Sequence, residues 1–371
     1  EPIVPHHLIP SMLFLQKICI YRFEQTILLL EISNKHFHTC LSSYSFSISA
    51  PGHTKSYKEI LKFEKAKENF KSYGHNIIES SNIMKNDKAR SSSGKERAEE
   101  FLKLWTNKDV KAIITLKGGQ FLIEMLPFLN EHKDILKNSQ PKWIQGFSDT
   151  TVLSYYLTTN FDIATIHADN FMNYGMKKIG VSQLNTIKML EGAEINQISS
   201  EKYQSVHQRS DIIGDFNFDK KTEWKNLYNE EKISLKGRII GGNLESITKL
   251  IGTKYDNTIN YIEKYKKDGI IWFLESFALN TADVYSALWE MKESGYFKYT
   301  SGFIFGKPAI CENEYNISYE ETLKDALGDL HVPVIYNADI GHVPPQLAII
   351  NGSIAEIISK DGKGIITCKK I

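Results

Sequence analysis

From about residue 45 the chain repeats one order: a short apolar run, then a charged stretch with apolar residues at helical spacing, then another apolar run. SFSISAPG leads into SYKEILKFEKAKENFKSYG, which stops at Gly74. HNIIES, the polar loop NIMKNDKARSSSGK and the helical ERAEEFLKLWTN follow. VKAIITL then runs into Gly118-Gly119, with FLIEMLPFL as the next helix. A strand, a helical crossover and a further strand return the chain in the same direction, so the pattern predicts a mainly parallel sheet with helices on both faces. In such sheets ligands collect beyond the carboxyl ends of the strands. The order resumes with GRIIGGNLESITKLIG, IIWFLES, NTADVYSALWEMKESG, GFIFG, VPVIYNADIGH and LAIINGSIAEI. Asn280 is the expected cap and Gly295 the expected stop of the helix between the second and third apolar runs of that half.

At 371 residues the chain accommodates two domains of about 150 residues each. The polar interval 191–234 reads as crossover and surface loops, separating an N-terminal domain over 45–190 from a C-terminal one over 235–371. Residues 1–44 form an atypical extension. Its apolar stretch, 11–32, is broken by Gln16, Lys17, Arg22, Glu24 and Gln25. A spanning helix needs about 20 nearly uninterrupted apolar residues, so no membrane partner is expected, and no tidy cleavage site marks a signal peptide.

A formal charge of +1 makes no electrostatic case for a nucleic-acid partner. Cys19, Cys40, Cys311 and Cys368 form no CxxC pair, which argues against a zinc site and a disulfide framework and for a reducing, cytoplasmic setting. SSSGKE at 91–96 lacks the first glycine and the Ser or Thr after lysine of a phosphate loop. GRIIGGN at 237–243 departs from G-x-G-x-x-G, so its glycines read as a tight turn and Asn243 as a helix cap. No metal or cofactor is implied.

The chemistry concentrates at strand ends. In KWIQGFSDTTVLSYYL, Ser148 stands where the apolar Trp143, Ile144 and Phe147 give way to Val152/Tyr156 and Leu153/Leu157 at i, i+4 spacing. It is either a helix cap or a nucleophile on a sharp strand-to-helix turn. Glu275 follows the apolar run Ile270 to Leu274, and His342 stands in NADIGHVPPQ after the strand VIY. Each has a plain surface reading, yet all three end strands on one expected sheet edge. A serine needs a base within reach, imidazole can take and return its proton, and a carboxylate fixes the imidazole tautomer. Gly118-Gly119 and the N–H of Asp149 are candidates for an oxyanion hole.

The ordered blocks LKGGQFLIEMLPFL, GFSDTT, GRIIGGNLESITKLIGT, FLES and DIGHVPPQ closely resemble the LD-carboxypeptidase family of serine peptidases, over about residues 46–371. The resemblance implies Ser148 as nucleophile, Glu275 as orienting acid and His342 as base, with Gly118 or Gly119 and Asp149 forming the oxyanion hole. It implies an amidotransferase-like N-terminal α/β domain, a smaller α/β C-terminal domain and, commonly, a homodimer. Lys117 in place of the usual arginine makes the chain look closer to the microcin C immunity peptidases, as does a longer central loop around Trp224. Trp224 is then a candidate to stack on an aromatic leaving group, and equally an ordinary packing aromatic. Where the family commonly shows Gly-Pro after a strand-end residue, this chain has His167-Ala168-Asp169. With Trp224, the residues Arg238, Asn243 and His167 make up the candidate substrate-binding set.

The expectation is a serine hydrolase cleaving an amide beside a free carboxylate, in a murein tetrapeptide or an aminoacyl-nucleotide. Two other readings stand beside it. One is an α/β-hydrolase esterase, although that fold wants G-x-S-x-G and position 150 is Thr. The other is a binding protein that keeps the cleft without the chemistry.

Overall fold

The strand read from VKAIITL, Ala112–Ile114, lies inside a six-stranded sheet of the computed structural model. The structure describes the backbone of residues 43–46 and residues 57–206, 213–313 and 315–369; the extension expected over 1–44 falls outside these but for backbone at its last two positions. The sheet runs Ile349–Asn351, Thr165–His167, Trp143–Gln145, Ala112–Ile114, Ser43–Phe46, Asn76–Glu79. Its last five strands are mutually parallel, as alternating strands and helices require. Ile349–Asn351 closes the other edge antiparallel, with Ile349 opposite His167. Ala112–Ile114 is buried along its length, which is why it reads as an unbroken apolar run, and Thr165–His167 is equally buried although only its central residue is apolar.

The covering helices follow the expected spacing. Tyr57–Ser72 buries Phe63, Ala66 and Phe70 on one face. SSSGKE proves to be a helix start. Ser93 Oγ accepts the Glu96 N–H at 3.2 Å while Glu96 accepts the Ser93 N–H at 3.1 Å, a reciprocal cap on Gly94–Thr106.

The second sheet has eight strands in the order Asn196–Ile198, Lys363–Cys368, Ile354–Lys360, Lys232–Asn243, Ile270–Glu275, Thr300–Gly306, Val334–Ala338, Lys225–Asn226. The four from Lys232–Asn243 to Val334–Ala338 are parallel, so their carboxyl ends share one edge. Asn243 pairs with Glu275 there, whereas Arg238 pairs with Ile270 at the opposite end. The interval 191–234 supplies both edge strands of this sheet, Asn196–Ile198 and Lys225–Asn226. Asn280 Oδ1 accepts the Asp283 N–H at 2.9 Å to start helix Thr281–Glu293, and Gly295, at φ +81°, ends it. No helix among the described residues is long and apolar enough to cross a membrane.

Candidate active site

Strand Trp143–Gln145 hands over to helix Thr150–Phe161 through a turn in which Ser148 adopts φ +64°. For an L-residue the left-handed region costs about 1–2 kcal/mol, so the neighbours must hold it there. Asn170 Oδ1 accepts the Phe147 N–H at 3.2 Å and the Thr115 hydroxyl at 2.6 Å, and the Ser148 carbonyl accepts the Thr151 N–H at 2.8 Å and the Ser246 hydroxyl at 3.3 Å. The capping reading of Ser148 fails. Asp149 occupies the cap position with no side-chain cap bond, and Ser148 contributes its carbonyl while its Oγ has no hydrogen-bond partner among the described residues.

Beyond the strand end, Gly118 lies against this hydroxyl. A Cβ at Gly118 would stand 2.7 Å from Ser148 Oγ and 3.7 Å from Asp149 N, so only glycine lets the backbone come so near. Among the described residues the N–H groups of Gly118, Gly119 and Asp149 meet no acceptor, which leaves them free to donate to a developing oxyanion. The Asp149 carboxylate ties the two segments together: it accepts the Leu122 N–H at 2.9 Å and faces Lys249 Nζ at 3.5 Å. Burial pushes its carboxyl up, with Lys249 and the Leu122 N–H acting against that rise.

Glu275 ends a fully buried strand, and its Oε2 stands 2.7 Å from His342 Nδ1. Between a carboxylate and that nitrogen the proton belongs on Nδ1, leaving Nε2 as the basic face. Phe147 and Phe277 hold the ring between them, at centroid distances of 4.7 and 4.8 Å, and Phe147 immediately precedes Ser148. Burial alone would raise the Glu275 carboxyl, but His342, His167 and Asn243 together hold it below its ordinary value. The loop carrying His342 is braced at its root. Asp339 pairs with Lys307, accepts the Ser200 N–H at 2.8 Å, and its carbonyl accepts the Leu347 N–H at 2.7 Å.

Gly341 offers a direct test of the acid–imidazole contact. At φ +87°, its added Cβ would lie 2.5 Å from Glu275 Oε2. Gly341→Ala should therefore push the carboxylate off His342, lowering kcat by on the order of 10² and stability by about 1–3 kcal/mol. Wild-type rates and melting temperature for this variant would show that the contact is dispensable.

The remaining candidates divide. Asn243 stands beside Glu275 in register, but its side chain donates to Glu245 Oε2 at 2.7 Å and accepts from Ser246 Oγ at 2.7 Å instead of capping its helix. His167 is buried, with Nε2 3.8 Å from Glu275 Oε1. Arg238 is not brought to the site. At the amino end of its parallel stretch, it stacks on Tyr265 at 3.6 Å and donates to Asp268 at 2.8 Å. Trp224 is not brought there either: it is 2% exposed, packs under Gly364 and directs Nε1 at Asp339, 3.4 Å away, so its ring is closed to a leaving group. Sequence reading missed Phe147, Phe277, Ser246 and Lys249. Phe277 follows Glu275 by two and Phe147 precedes Ser148 by one, so an aromatic close in sequence to two of the three triad candidates was the available signal. Among the described residues no cluster of three or more His, Cys, Asp or Glu could hold a metal.

Comparison with known proteins identifies the family and the fold. The LD-carboxypeptidase N-terminal domain matches residues 46–168 and the C-terminal domain residues 236–357. A carboxypeptidase-named protein of Vibrio cholerae is 28% identical over 294 residues, 77% of this chain and 84% of that one. The microcin C7 self-immunity protein MccF of Escherichia coli is 28% identical over 330 residues, 86% of this chain and 91% of that one. MccF in complex with aspartyl sulfamoyl adenosine shares the fold at a TM-score of 0.72 and 23% identity, covering 89% of this chain and 96% of that chain.

Proposed function

The chain belongs to the LD-carboxypeptidase family of serine peptidases, and from that premise we propose that Ser148, His342 and Glu275 work as one proton-passing triad. The observation that carries the proposal is the 2.7 Å Glu275–His342 contact, with the imidazole seated against Phe147 beside the left-handed Ser148. Ser148 Oγ attacks the scissile carbonyl as its proton passes to His342 Nε2. The N–H groups of Asp149 and of Gly118 or Gly119 take the charge of the tetrahedral oxygen. The amine leaves with the proton from His342, and a water activated by the same imidazole frees the acyl group from Ser148. No hydrogen bond joins Ser148 Oγ to the imidazole among the described residues; that contact closes when substrate is bound.

The substrate is a small molecule whose scissile amide lies beside a free carboxylate. An aminoacyl-nucleotide is the first candidate, supported by similarity to MccF across most of both chains and by the ligand of its solved complex. A murein tetrapeptide is the second, supported by the family's LD-carboxypeptidase name. The same reading makes the protein a cytoplasmic homodimer that needs no metal or organic cofactor. Mass spectrometry on a murein tetrapeptide and an aminoacyl sulfamoyl adenosine, side by side, tests the choice. Cleavage of the second with release of the amino acid is the expected result. Cleavage of the tetrapeptide alone reverses the order, and cleavage of neither, with no labelling of Ser148 by a phosphonate, removes the catalytic reading.

A further inference from the structure

We propose that His167 is a positioning residue for Glu275: its Nε2–H holds the carboxylate oxygen that His342 leaves free, so the acid is clamped between two imidazoles. The inference rests on the triad reading for what Glu275 does, and on separate geometry for how it is held. His167 ends the strand Thr165–His167 of the first sheet, whereas Glu275 ends Ile270–Glu275 of the second. The contact therefore ties the acid to the other sheet, the one that carries Ser148.

Glu275 Oε2 is taken by His342 at 2.7 Å, while Oε1 lies 3.8 Å from His167 Nε2. Among the described residues, Oε1 and both ring nitrogens of His167 are buried without a hydrogen-bond partner. Burying polar atoms unpaired is costly, and His167 Nε2 and Glu275 Oε1 can each satisfy the other. A closure of about 0.8 Å brings them to hydrogen-bond distance. Phe273 and Phe147 wall the ring edge-on at centroid distances of 5.2 and 6.2 Å, so an apolar ring would satisfy the packing and only the N–H is left for the imidazole to add. The charged groups that bear on it are Glu275 and His342. Burial lowers the His167 imidazole to about 4, against which Glu275 pulls upward. At neutral pH it is therefore an uncharged donor that shares the carboxylate's charge without competing with His342 for the proton.

Two readouts on the full-length chain test the clamp. In the first, nitrogen-15 spectra of histidine-labelled protein should show His167 neutral and protonated on Nε2 from pH 8 to below 5. Titration near 6.5, or a proton on Nδ1, overturns the proposal. In the second, Ser148 is labelled with a fluorophosphonate across pH in the wild type, His167→Phe and His167→Gln. The phenylalanine variant should label about ten-fold more slowly at pH 7.5. Its acid limb should move up by roughly half to one unit, since an unshared Glu275 charge holds the imidazolium more tightly. The glutamine variant, which keeps an N–H, should stay within about three-fold with its limb unmoved. Equal labelling and an unmoved limb in the phenylalanine variant sink the clamp. If wild-type Ser148 does not label at all, the triad reading fails, and the tautomer of His167 still decides the clamp by itself.

Discussion

Ser148→Gly is expected to lose turnover by on the order of 10⁴-fold or more while unfolding at a temperature no lower than Ser148→Ala. Both variants remove the attacking oxygen and leave only the catalysis of the oxyanion donors and of substrate placement. They differ in the backbone. At φ +64° an alanine keeps the left-handed strain, about 1–2 kcal/mol, which glycine does not feel. Against that relief, glycine loosens the unfolded chain by roughly 0.5–1 kcal/mol. The difference leaves glycine level with alanine or about 1 kcal/mol more stable, a melting shift of ~1–3 °C. A glycine variant clearly less stable than the alanine one would mean that the turn holds no strain. Undiminished hydrolysis by either would mean that the nucleophile lies elsewhere. Ser154, buried in the helix that follows Ser148 and donating to the Thr151 carbonyl at 3.3 Å, is the control whose alanine variant should retain activity.

Much of this site was legible because parallel sheets sort residues by their place along a strand. Five apolar residues before Glu275 put it at a strand's carboxyl end, and VIY did the same for the loop of His342. One shared edge then followed from topology. The same rule, applied more strictly, removes Arg238. It precedes Asn243 by five residues, so a strand rise of about 3.3 Å sets it ~16 Å behind the edge where the chemistry lies. Trp224 was illegible for another reason. The strand that carries its neighbours, Lys225–Asn226, is two residues long and shows no period, so nothing in the sequence placed the ring under Gly364. Asp149 carried a visible backbone role, but its carboxylate's grip on the Leu122 N–H joins residues 27 apart. The approach of His167 to Glu275 spans both sheets. Such contacts depend on how the layers pack, which local pattern does not encode.

Glu275→Gln carries the second large effect, a fall in kcat of on the order of 10³–10⁴ with little change in KM. The amide nearly matches the carboxylate in shape, so the buried strand end and the packing of Gly341 against it are kept. What is lost is the negative charge that stabilises the imidazolium when Ser148 is deprotonated. One of the two oxygens also becomes an NH₂ group. Facing His342 Nδ1 it would turn the ring to the wrong tautomer; facing His167 Nε2 it would set donor against donor. The pH dependence of stability separates this role from that of a solvated strand-end charge. Because the native contacts hold the Glu275 carboxyl below its ordinary value, it contributes stability above that ordinary value, about 4.5, and loses it as the pH falls through the depressed native one. Glutamine has no such loss, so the wild type's advantage in unfolding free energy over Glu275→Gln should shrink on acidification below about 4.5. A carboxylate that merely reached solvent would give two parallel pH–stability curves and a variant as active as the parent. That pair of results would detach Glu275 from His342 and leave the imidazole without its orienting acid.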